Sequence, residues 1–302
     1  MKKRRLGNSD LLVSEIGLGC MSLGTDQKKA AEIVKAALHE GINYFDTADL
    51  YDFGVNEEIV GESLKPVRDQ VYIATKVGNR WTENKEGWSW DPSGDYIKTA
   101  VKDSLKRLGT DYIDLYQLHG GTIEDNLEET IEAFEDLKKE GLIRYYGISS
   151  IRPNVIKAFV ENSNIDSVMM QYSLLDRRPE EWMPLLDDKQ VSIIARGPLA
   201  KGLLSEKMLN KASEDGYLDY SYQALKDLLP QLKEKISGKK LNAVALQYVL
   251  SNQSVASAIA GASTVQQLRE NCQAYNSPSL SKDELDLLKQ LTKASKYANH
   301  RE

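Results

Sequence analysis

The chain carries an acid, a lysine and a histidine at positions where short β-branched runs end. Asp46, Lys76 and His119 each stand at or just after the end of such a run, and Tyr51 lies five residues after Asp46. Neighbouring strands of a sheet lie about 4.8 Å apart, so side chains at the same ends of parallel strands converge. The sequence therefore predicts one site that combines a carboxylate, an ammonium, an imidazole and a phenol.

These four groups together suit proton transfer to a carbonyl oxygen that becomes an alkoxide as hydride reaches its carbon. A tyrosine hydroxyl has a pKa of about 10, which is poorly matched to donation near neutral pH. An ammonium about 4 Å away stabilises a developing phenolate by about 4 kcal/mol at an effective dielectric of about 20. We therefore interpret Tyr51 as the proton donor and Lys76 as its electrostatic support. Asp46 then holds the lysine charged, and His119 hydrogen-bonds the substrate oxygen or the tyrosine.

The elements that position these residues alternate along the chain. Predicted strands cover residues 16–19, 42–46, 71–76, 113–118, 144–149, 167–171, 191–195 and 255–259. Predicted helices cover residues 27–40, 56–64, 95–108, 124–140, 153–161, 180–188, 225–251 with an interruption, and 264–274. Eight β–α units with short links predict a parallel sheet that closes into a barrel. The expected fold class is α/β, a (β/α)8 TIM barrel, and an open doubly wound sheet is the alternative.

Features outside the eight units complete the predicted architecture. Residues 3–6 and 11–14 flank a turn and predict an N-terminal β-hairpin. Ser281 and Glu284 form a capping box for an extra C-terminal helix. Long connections at residues 77–95 and about 200–224 both follow strands, so they are expected at the barrel mouth. We find no linker, and residues 1–302 are expected to form a single domain.

Composition excludes several classes of protein. The 302 residues carry a formal net charge of −6, so no basic surplus indicates a nucleic-acid partner or an anionic membrane surface. Two cysteines, Cys20 and Cys272, cannot build a disulfide framework. The basic N-terminus lacks an apolar signal region, and no run of about 18 apolar residues occurs. Three scattered histidines give no metal spacing. We expect a cytoplasmic protein without a metal, and its oligomeric state is not predicted.

Neither nucleotide-binding motif of open α/β folds is complete. The glycines of residues 17–22 lack the third glycine of the dinucleotide fingerprint. Residues 197–202 have phosphate-loop glycine spacing without the Lys-Ser/Thr ending.

The chemical groups occur in motifs that resemble a known family. Asp46-Thr47-Ala48 with Tyr51, Thr75-Lys76 and Gln117-Leu118-His119 resemble, in order, the catalytic tetrad of the aldo-keto reductases. The resemblance extends from about residue 4 to 292. It implies a barrel that binds NADPH in extended form and reduces aldehydes and ketones. The implied catalytic residues are Tyr51, Lys76, Asp46 and His119.

The resemblance also implies where the nicotinamide end of the cofactor binds. Ser149 and Gln171 match positions that hydrogen-bond the carboxamide, and Ser150 stands where asparagine is usual. Arg196 occupies a position that is often aromatic and stacks on the nicotinamide, as a planar guanidinium also can. Gly19, Cys20 and Met21 match the loop against which the nicotinamide lies, and Asp46 matches an acid that also contacts the cofactor.

The remaining implied contacts concern the phosphates and the adenosine. The pyrophosphate clasp matches Arg196, Gly197, Pro198, Leu199, Ala200, Lys201 and Gly202, with Lys207 as a further phosphate charge. The adenosine-phosphate site matches Gly261, Ser263, Gln267, Glu270 and Asn271. Ser263 and Gln267 stand at 2′-phosphate positions, so we expect NADPH to bind more tightly than NADH.

Two alternative functions stay open at this point. The segment 261–271 is similar to that of potassium-channel β subunits, which bind NADPH and act partly as redox-sensing partners. Those proteins lack a histidine at the position of His119, so its presence favours turnover. The second alternative is a Schiff-base barrel enzyme with Lys76 as nucleophile. The neighbouring Asp46 argues against it, because a carboxylate keeps the lysine protonated.

Two features of the predicted mouth have no assigned role. Trp81, Trp88 and Trp90 crowd one long loop, where they either line the substrate site or pack the loop onto the barrel. Arg152 is expected on the surface.

Overall fold

The computed structural model describes residues 1–236 and 238–301. Numbered in chain order, its strands are β1 (Lys3–Arg5), β2 (Leu12–Ser14), β3 (Ile16–Gly19), β4 (Tyr44–Asp46), β5 (Tyr72–Val77), β6 (Asn79–Trp81), β7 (Trp88–Trp90), β8 (Ile113–Leu118), β9 (Ile143–Ser149), β10 (Ser167–Gln171), β11 (Ser192–Arg196) and β12 (Val255–Gly261). Strands β3, β4, β5, β8, β9, β10, β11 and β12 close a parallel barrel in that order. The predicted (β/α)8 fold is confirmed.

Helices surround this barrel. They are α1 (Gln27–His39), α2 (Val55–Leu64), α3 (Gly94–Leu108), α4 (Leu127–Lys139), α5 (Pro153–Asn162), α6 (Met183–Asp188), α7 (Met208–Lys211), α8 (Tyr222–Lys235), α9 (Leu241–Leu250), α10 (Val265–Tyr275) and α11 (Lys282–Leu291). The predicted capping box of α11 is present, with Ser281 and Glu284 each bonding the other's backbone amide. The predicted helix 180–188 divides into a 3-10 turn and the short α6, which carries a proline in its first turn.

The hairpin of β1 and β2 closes the end of the barrel away from the candidate site. Its Leu6, Leu11 and Val13 are fully buried together with barrel residues such as Tyr44 and Leu115. Each such burial contributes about 1.5–3 kcal/mol. A larger apolar core fills the space between the strands and the helices. Both faces of the strands are therefore covered, which is typical of parallel sheets.

Strand register brings the chemically active residues to one level of the barrel. Gly19 pairs with Asp46, and Lys76 pairs with Gln117. The two long connections leave this same end: one contains the antiparallel pair β6–β7, and the other contains α7. The tops of the strands and these connections together surround the candidate site.

Candidate active site

The centre of the site is a buried lysine with three oxygen neighbours. Lys76 Nζ lies 2.7 Å from Asp46 Oδ1 and 2.6 Å from the carbonyl oxygen of Thr47. It also lies 3.5 Å from the hydroxyl of Tyr51. Lys76 has no exposed surface and Asp46 is 4% exposed, so water screens this pair weakly. An ammonium is therefore held against a phenol.

The charge on that lysine is maintained by its neighbours. Burial lowers the pKa of Lys76, but the charge and hydrogen bond of Asp46 together with those of Tyr51 outweigh burial, and the net pKa lies above the usual range for lysine. Asp46 receives a second hydrogen bond, at 3.4 Å, from Gln117 Nε2. The carboxylate is thus fixed from two sides. Lys76 stays an ammonium at neutral pH, which makes it an electrostatic support and a poor nucleophile.

Tyr51 is placed by an unusual turn. It begins a 3-10 turn over Tyr51–Gly54, in which Asp52 and Phe53 adopt positive φ of 49° and 51°. Non-glycine residues adopt this region rarely and at a cost in free energy. Asn56 braces the turn, because its side chain accepts from Thr47 Oγ1 at 2.7 Å and donates to the carbonyl of Cys20 at 2.9 Å. These contacts hold the strained segment that directs the phenol toward Lys76.

His119, which directly follows β8, also faces the phenol. Its ring lies edge-on to that of Tyr51, with centroids 6.0 Å apart. Burial, and then the positive charges of Lys76 and Arg196, lower the pKa of His119 to about 3. The imidazole is therefore neutral at physiological pH and carries one proton. Its buried Nδ1 has no hydrogen-bond partner among the described residues.

These groups form the floor of a large cleft with a volume of about 1000 Å³. The predicted site residues that line it are Gly19, Met21, Asp46, Tyr51, Lys76, His119, Ser149, Ser150, Gln171, Arg196, Gly197, Pro198, Leu199, Lys201, Gly202, Gly261 and Gln267. The tetrad and most of the residues matched to cofactor positions therefore surround one space. Every strand of the barrel, or the loop that follows it, contributes at least one residue to the lining of the cleft.

Six predicted residues do not line this cleft. Cys20 is fully buried, and burial raises the pKa of its thiol far above the usual range. Ala200 is also buried, whereas Lys207 is exposed just before α7. Around the start of α10, Ser263 donates to the side chain of Gln267, and Glu270 and Asn271 also stand outside the cleft wall.

Arg196 belongs to a hydrogen-bonded chain on one wall. Its Nη1 donates to Gln171 Oε1 at 3.1 Å, and Gln171 Nε2 contacts the hydroxyl of Tyr217 at 3.1 Å. Arg196, Lys201 and Lys211 place three cationic side chains along this half of the cleft. Sequence reasoning missed Tyr217 and Lys211, because both stand in the long connection after β11. Their side-chain types were the only available signal.

The residues present fit a nicotinamide dinucleotide. Three cations are available to phosphates, and amide and hydroxyl groups of Gln171 and Ser149 border the floor. Gln267 lies in the first turn of helix α10, and a helix N-terminus favours anions. Among the described residues, no cluster of three acidic, histidine or cysteine side chains could hold a metal. None of the described helices has the length and apolar character needed to cross a bilayer.

The opposite wall carries aromatic residues and one cation. Trp88 and Trp90 line the cleft, and Trp90 Nε1 donates to the carboxylate of Asp125 at 3.0 Å. Trp81 instead faces Arg107, whose guanidinium lies 5.2 Å from its ring, so this tryptophan packs the loop. Arg152 was expected on the surface but is half-buried and lines the cleft.

Comparison with known proteins covers the whole chain. The sequence profile described as "Aldo/keto reductase family" matches residues 15–293. The uncharacterized oxidoreductase YqkF of Bacillus subtilis is 59% identical over 305 residues, which is 100% of both chains. The holo form of aldo-keto reductase AKR11C1 from Bacillus halodurans superimposes with a TM-score of 0.95 at 57% identity, covering 100% of both chains. The NADH-specific methylglyoxal reductase of Escherichia coli is 30% identical over 326 residues, 97% of this chain and 99% of that protein.

Proposed function

Because the chain belongs to the aldo/keto reductase family, we propose that it is an NADPH-dependent oxidoreductase that reduces aldehydes and ketones to alcohols, with Tyr51 as the proton donor. The observation that carries this proposal is the 3.5 Å approach of the Tyr51 hydroxyl to the buried Lys76 ammonium. Both groups line the floor of a cleft of about 1000 Å³. A phenol and an ammonium in contact can deliver a proton to an oxygen that gains negative charge.

Each polar group on the floor has a separate task in this proposal. When bound, NADPH supplies hydride to the carbonyl carbon. Tyr51 donates its hydroxyl proton to the carbonyl oxygen, and Lys76 stabilises the phenolate that forms. Asp46 keeps Lys76 charged and in position. His119, neutral because of its low pKa, donates a hydrogen bond that holds the carbonyl oxygen near the tyrosine.

We assign the cofactor to the wall that bears Arg196. The nicotinamide would lie against Gly19 and Met21, with its carboxamide near Ser149, Ser150 and Gln171. The loop from Arg196 to Gly202 would hold the pyrophosphate, and positively charged side chains would neutralise its charge. Lys211 joins Lys201 in that role. Lys207, expected at the phosphates, and Cys20, expected beside the nicotinamide, do not line the cleft.

The preference for NADPH over NADH rests on the adenosine end. The group proposed there comprises Gly261, Ser263, Gln267, Glu270 and Asn271. Ser263 and Gln267 hydrogen-bond each other at the start of α10, where a 2′-phosphate would meet polar groups and the helix N-terminus. Fluorescence titration with each cofactor tests this. Equal or tighter binding of NADH would refute the proposed preference for NADPH.

Substitution of the proton donor tests the proposed chemistry. Tyr51→Phe removes one hydroxyl and keeps the ring against His119, so we expect loss of carbonyl reduction with NADPH affinity within about threefold of wild type. The readout is steady-state NADPH oxidation with a panel of aldehydes, ketones and sugars. Retention of near-wild-type kcat by Tyr51→Phe would refute the assignment of the acid.

The same assay separates the alternatives. Wild-type protein that binds NADPH but turns over no member of the panel would favour a redox-sensing role. Borohydride trapping of a substrate on Lys76 would favour a Schiff-base enzyme. The hydrogen bonds that hold Lys76 as an ammonium oppose that second chemistry. We further propose a single catalytic domain and a cytoplasmic location, in keeping with two free, buried cysteines.

A further inference from the structure

The catalytic cleft contains a cation that the proposed reduction does not use. Among the described residues, the lining has one acid, Asp46, which pairs with Lys76 at 2.7 Å. The other cations of the lining are Arg152, Arg196, Lys201 and Lys211. The cofactor assignment uses the last three and leaves Arg152 without a task.

The order of the strands separates Arg152 from the cofactor wall. Arg152 follows β9, and its Nη1 donates to the carbonyl oxygen of Gly121, which follows β8. The barrel order runs β8, β9, β10, β11, so this contact directs the guanidinium away from Arg196 at the end of β11. Gly121 is two residues beyond His119, and two residues span at most about 7 Å of chain. The guanidinium therefore lies on the side of the cleft that bears His119.

The carbonyl that anchors Arg152 belongs to a closely packed glycine pair. Gly120 and Gly121 adopt φ of 141° and 110°, a region that favours glycine. A Cβ on Gly121 would lie 2.8 Å from Val155 Cγ1, and a Cβ on Gly120 would lie 3.1 Å from the ring of Trp90. The loop is thus held between these two side chains, and the anchor of the guanidinium is held with it.

This anchor leaves one edge of the guanidinium unpaired. Nε and Nη2 of Arg152 have no hydrogen-bond partner among the described residues, and the side chain has no ion pair there. Both atoms retain access to solvent. The side chain is half-buried and lines the cleft. Nε–H and Nη2–H are parallel donors on one edge, which is the geometry that binds the two oxygens of a carboxylate.

The acid on the adjoining loop does not neutralise Arg152. The carboxylate of Asp125 accepts from Trp90 Nε1 at 3.0 Å. It also accepts from the amide and the hydroxyl of Thr122, at 2.6 Å and 2.8 Å. An arginine side chain stays charged at physiological pH. The charge of Arg152 is therefore available to an anion that enters the cleft.

We propose that the carbonyl substrate carries a carboxylate, which the Nε–Nη2 edge of Arg152 binds while the carbonyl oxygen lies at Tyr51 and His119. This inference rests on the proposed reductase function and names the class of its substrate: an aldehyde or ketone with a carboxylate at its far end. The ring or chain between the two groups would pass beside Trp90, where apolar surface is removed from water. Contacts at both ends of the molecule would orient the carbonyl.

Steady-state reduction of 4-formylbenzoate and of 4-formylbenzamide tests this proposal, because the two aldehydes have nearly the same shape and differ in charge. With saturating NADPH, we expect kcat/KM for the benzoate to exceed that for the benzamide at least about tenfold. Arg152→Gln should abolish the preference by raising KM for the benzoate with little change in kcat, since it removes binding remote from the reacting carbon. NADPH affinity should stay within about threefold of wild type.

Two further variants control for net charge and for geometry. Arg80→Gln makes the same change in net charge, but Arg80 does not line the cleft and its side chain is 61% exposed. This variant should keep the wild-type preference within about threefold. Arg152→Lys keeps the charge and removes the two-donor edge, so its preference should lie between those of wild type and Arg152→Gln.

Several results would overturn the assignment. Equal kcat/KM for the two aldehydes is one, and an unchanged preference in folded Arg152→Gln is another. A loss of NADPH affinity of about tenfold in that variant would place Arg152 at the cofactor instead. If Arg152→Gln does not fold, the full wild-type preference in Arg152→Lys would rule out the role of the two-donor edge.

Failure of the reductase proposal has a separate signature, because neither aldehyde would then be reduced. Binding decides the inference in that case. The full chain in excess NADP+ is titrated calorimetrically with 4-(hydroxymethyl)benzoate and with 4-(hydroxymethyl)benzamide. Saturable binding of the benzoate that Arg152→Gln weakens at least about tenfold would support a carboxylate site. Equal binding of the two compounds, or no binding up to about 10 mM, would contradict it.

Discussion

Removal of the Lys76 ammonium should slow proton transfer without emptying the site. Lys76→Met keeps an unbranched side chain of similar length. The single substitution also strands the buried carboxylate of Asp46, and breaking one partner of such a pair costs about 3–5 kcal/mol of stability. The informative comparison is therefore between the double variant Asp46→Asn/Lys76→Met and Asp46→Asn alone. The difference isolates the charge that faces Tyr51.

The separation of the two groups sets the size of the effect. Lys76 Nζ and Tyr51 Oη are 3.5 Å apart. Coulomb's law with an effective dielectric of about 20 gives about 5 kcal/mol for a fully formed phenolate at that distance. A transition state with half of this charge would lose about 2.4 kcal/mol. We therefore expect kcat to fall by a factor between about 50 and about 3000.

The assay is NADPH oxidation with a saturating aldehyde. NADPH deuterated at the transferred position should give a primary isotope effect on kcat in the double variant, which establishes that the chemical step limits the rate. Cofactor affinity, measured by fluorescence, should be similar in the two variants, because both lack the Asp46 charge. A kcat within about fivefold of the Asp46→Asn value, with the isotope effect present, would show that Lys76 does not support the acid.

Three further predictions concern pH, cofactor and packing. The pKa of His119, about 3 in the fold and about 6.5 unfolded, means that the unfolded chain binds the extra proton first as pH falls. The stability that His119 contributes by staying neutral is complete above pH about 6.5 and is lost below it at up to about 1.4 kcal/mol per pH unit. The free energy of unfolding of His119→Gln, measured in urea, should therefore fall less steeply with acid than that of wild type. The same pH dependence in both proteins would contradict the low pKa. Ser263→Asp places a carboxylate where we propose the 2′-phosphate, so NADPH affinity should fall at least about tenfold with little change for NADH; equal losses for both cofactors would move that phosphate. Gly61→Ala would place its Cβ 2.3 Å from the carbonyl oxygen of Leu108, so urea unfolding should show a loss of at least about 1–3 kcal/mol. The control Gly87→Ala meets nothing within 4 Å and should be close to neutral, and similar effects in both variants would rule out the close contact as the cause.

Residues at the ends of strands were predictable because strand position is a local property. The runs 16–19, 113–118 and 167–171 coincide with β3, β8 and β10, and the others differ by one or two residues at their ends. Once the strands are parallel and consecutive, their last residues meet at one end. Asp46 and Lys76 follow this rule directly.

Residues in the long connections did not follow from the sequence. Lys211 and Tyr217 reach the cleft, whereas Lys207 does not, although all three stand in one connection. Sequence periodicity does not describe such a segment, because its path is set by contacts with distant elements. The tryptophans show the same effect, because Trp88 and Trp90 line the cleft whereas Trp81 packs against the guanidinium of Arg107 on the distant α3.

The order of strands and helices, the barrel they build, and the identities of the four groups at its mouth were determined by the sequence alone, because alternation, caps and turns act over a few residues. Tertiary structure decided the remainder. It set the neutral state of His119 and buried Asp49 with one carboxyl oxygen that has no donor among the described residues, since burial and charge environment are sums over segments distant in the chain. Neither the burial of a side chain nor the charge around it can be read from its neighbours in the sequence.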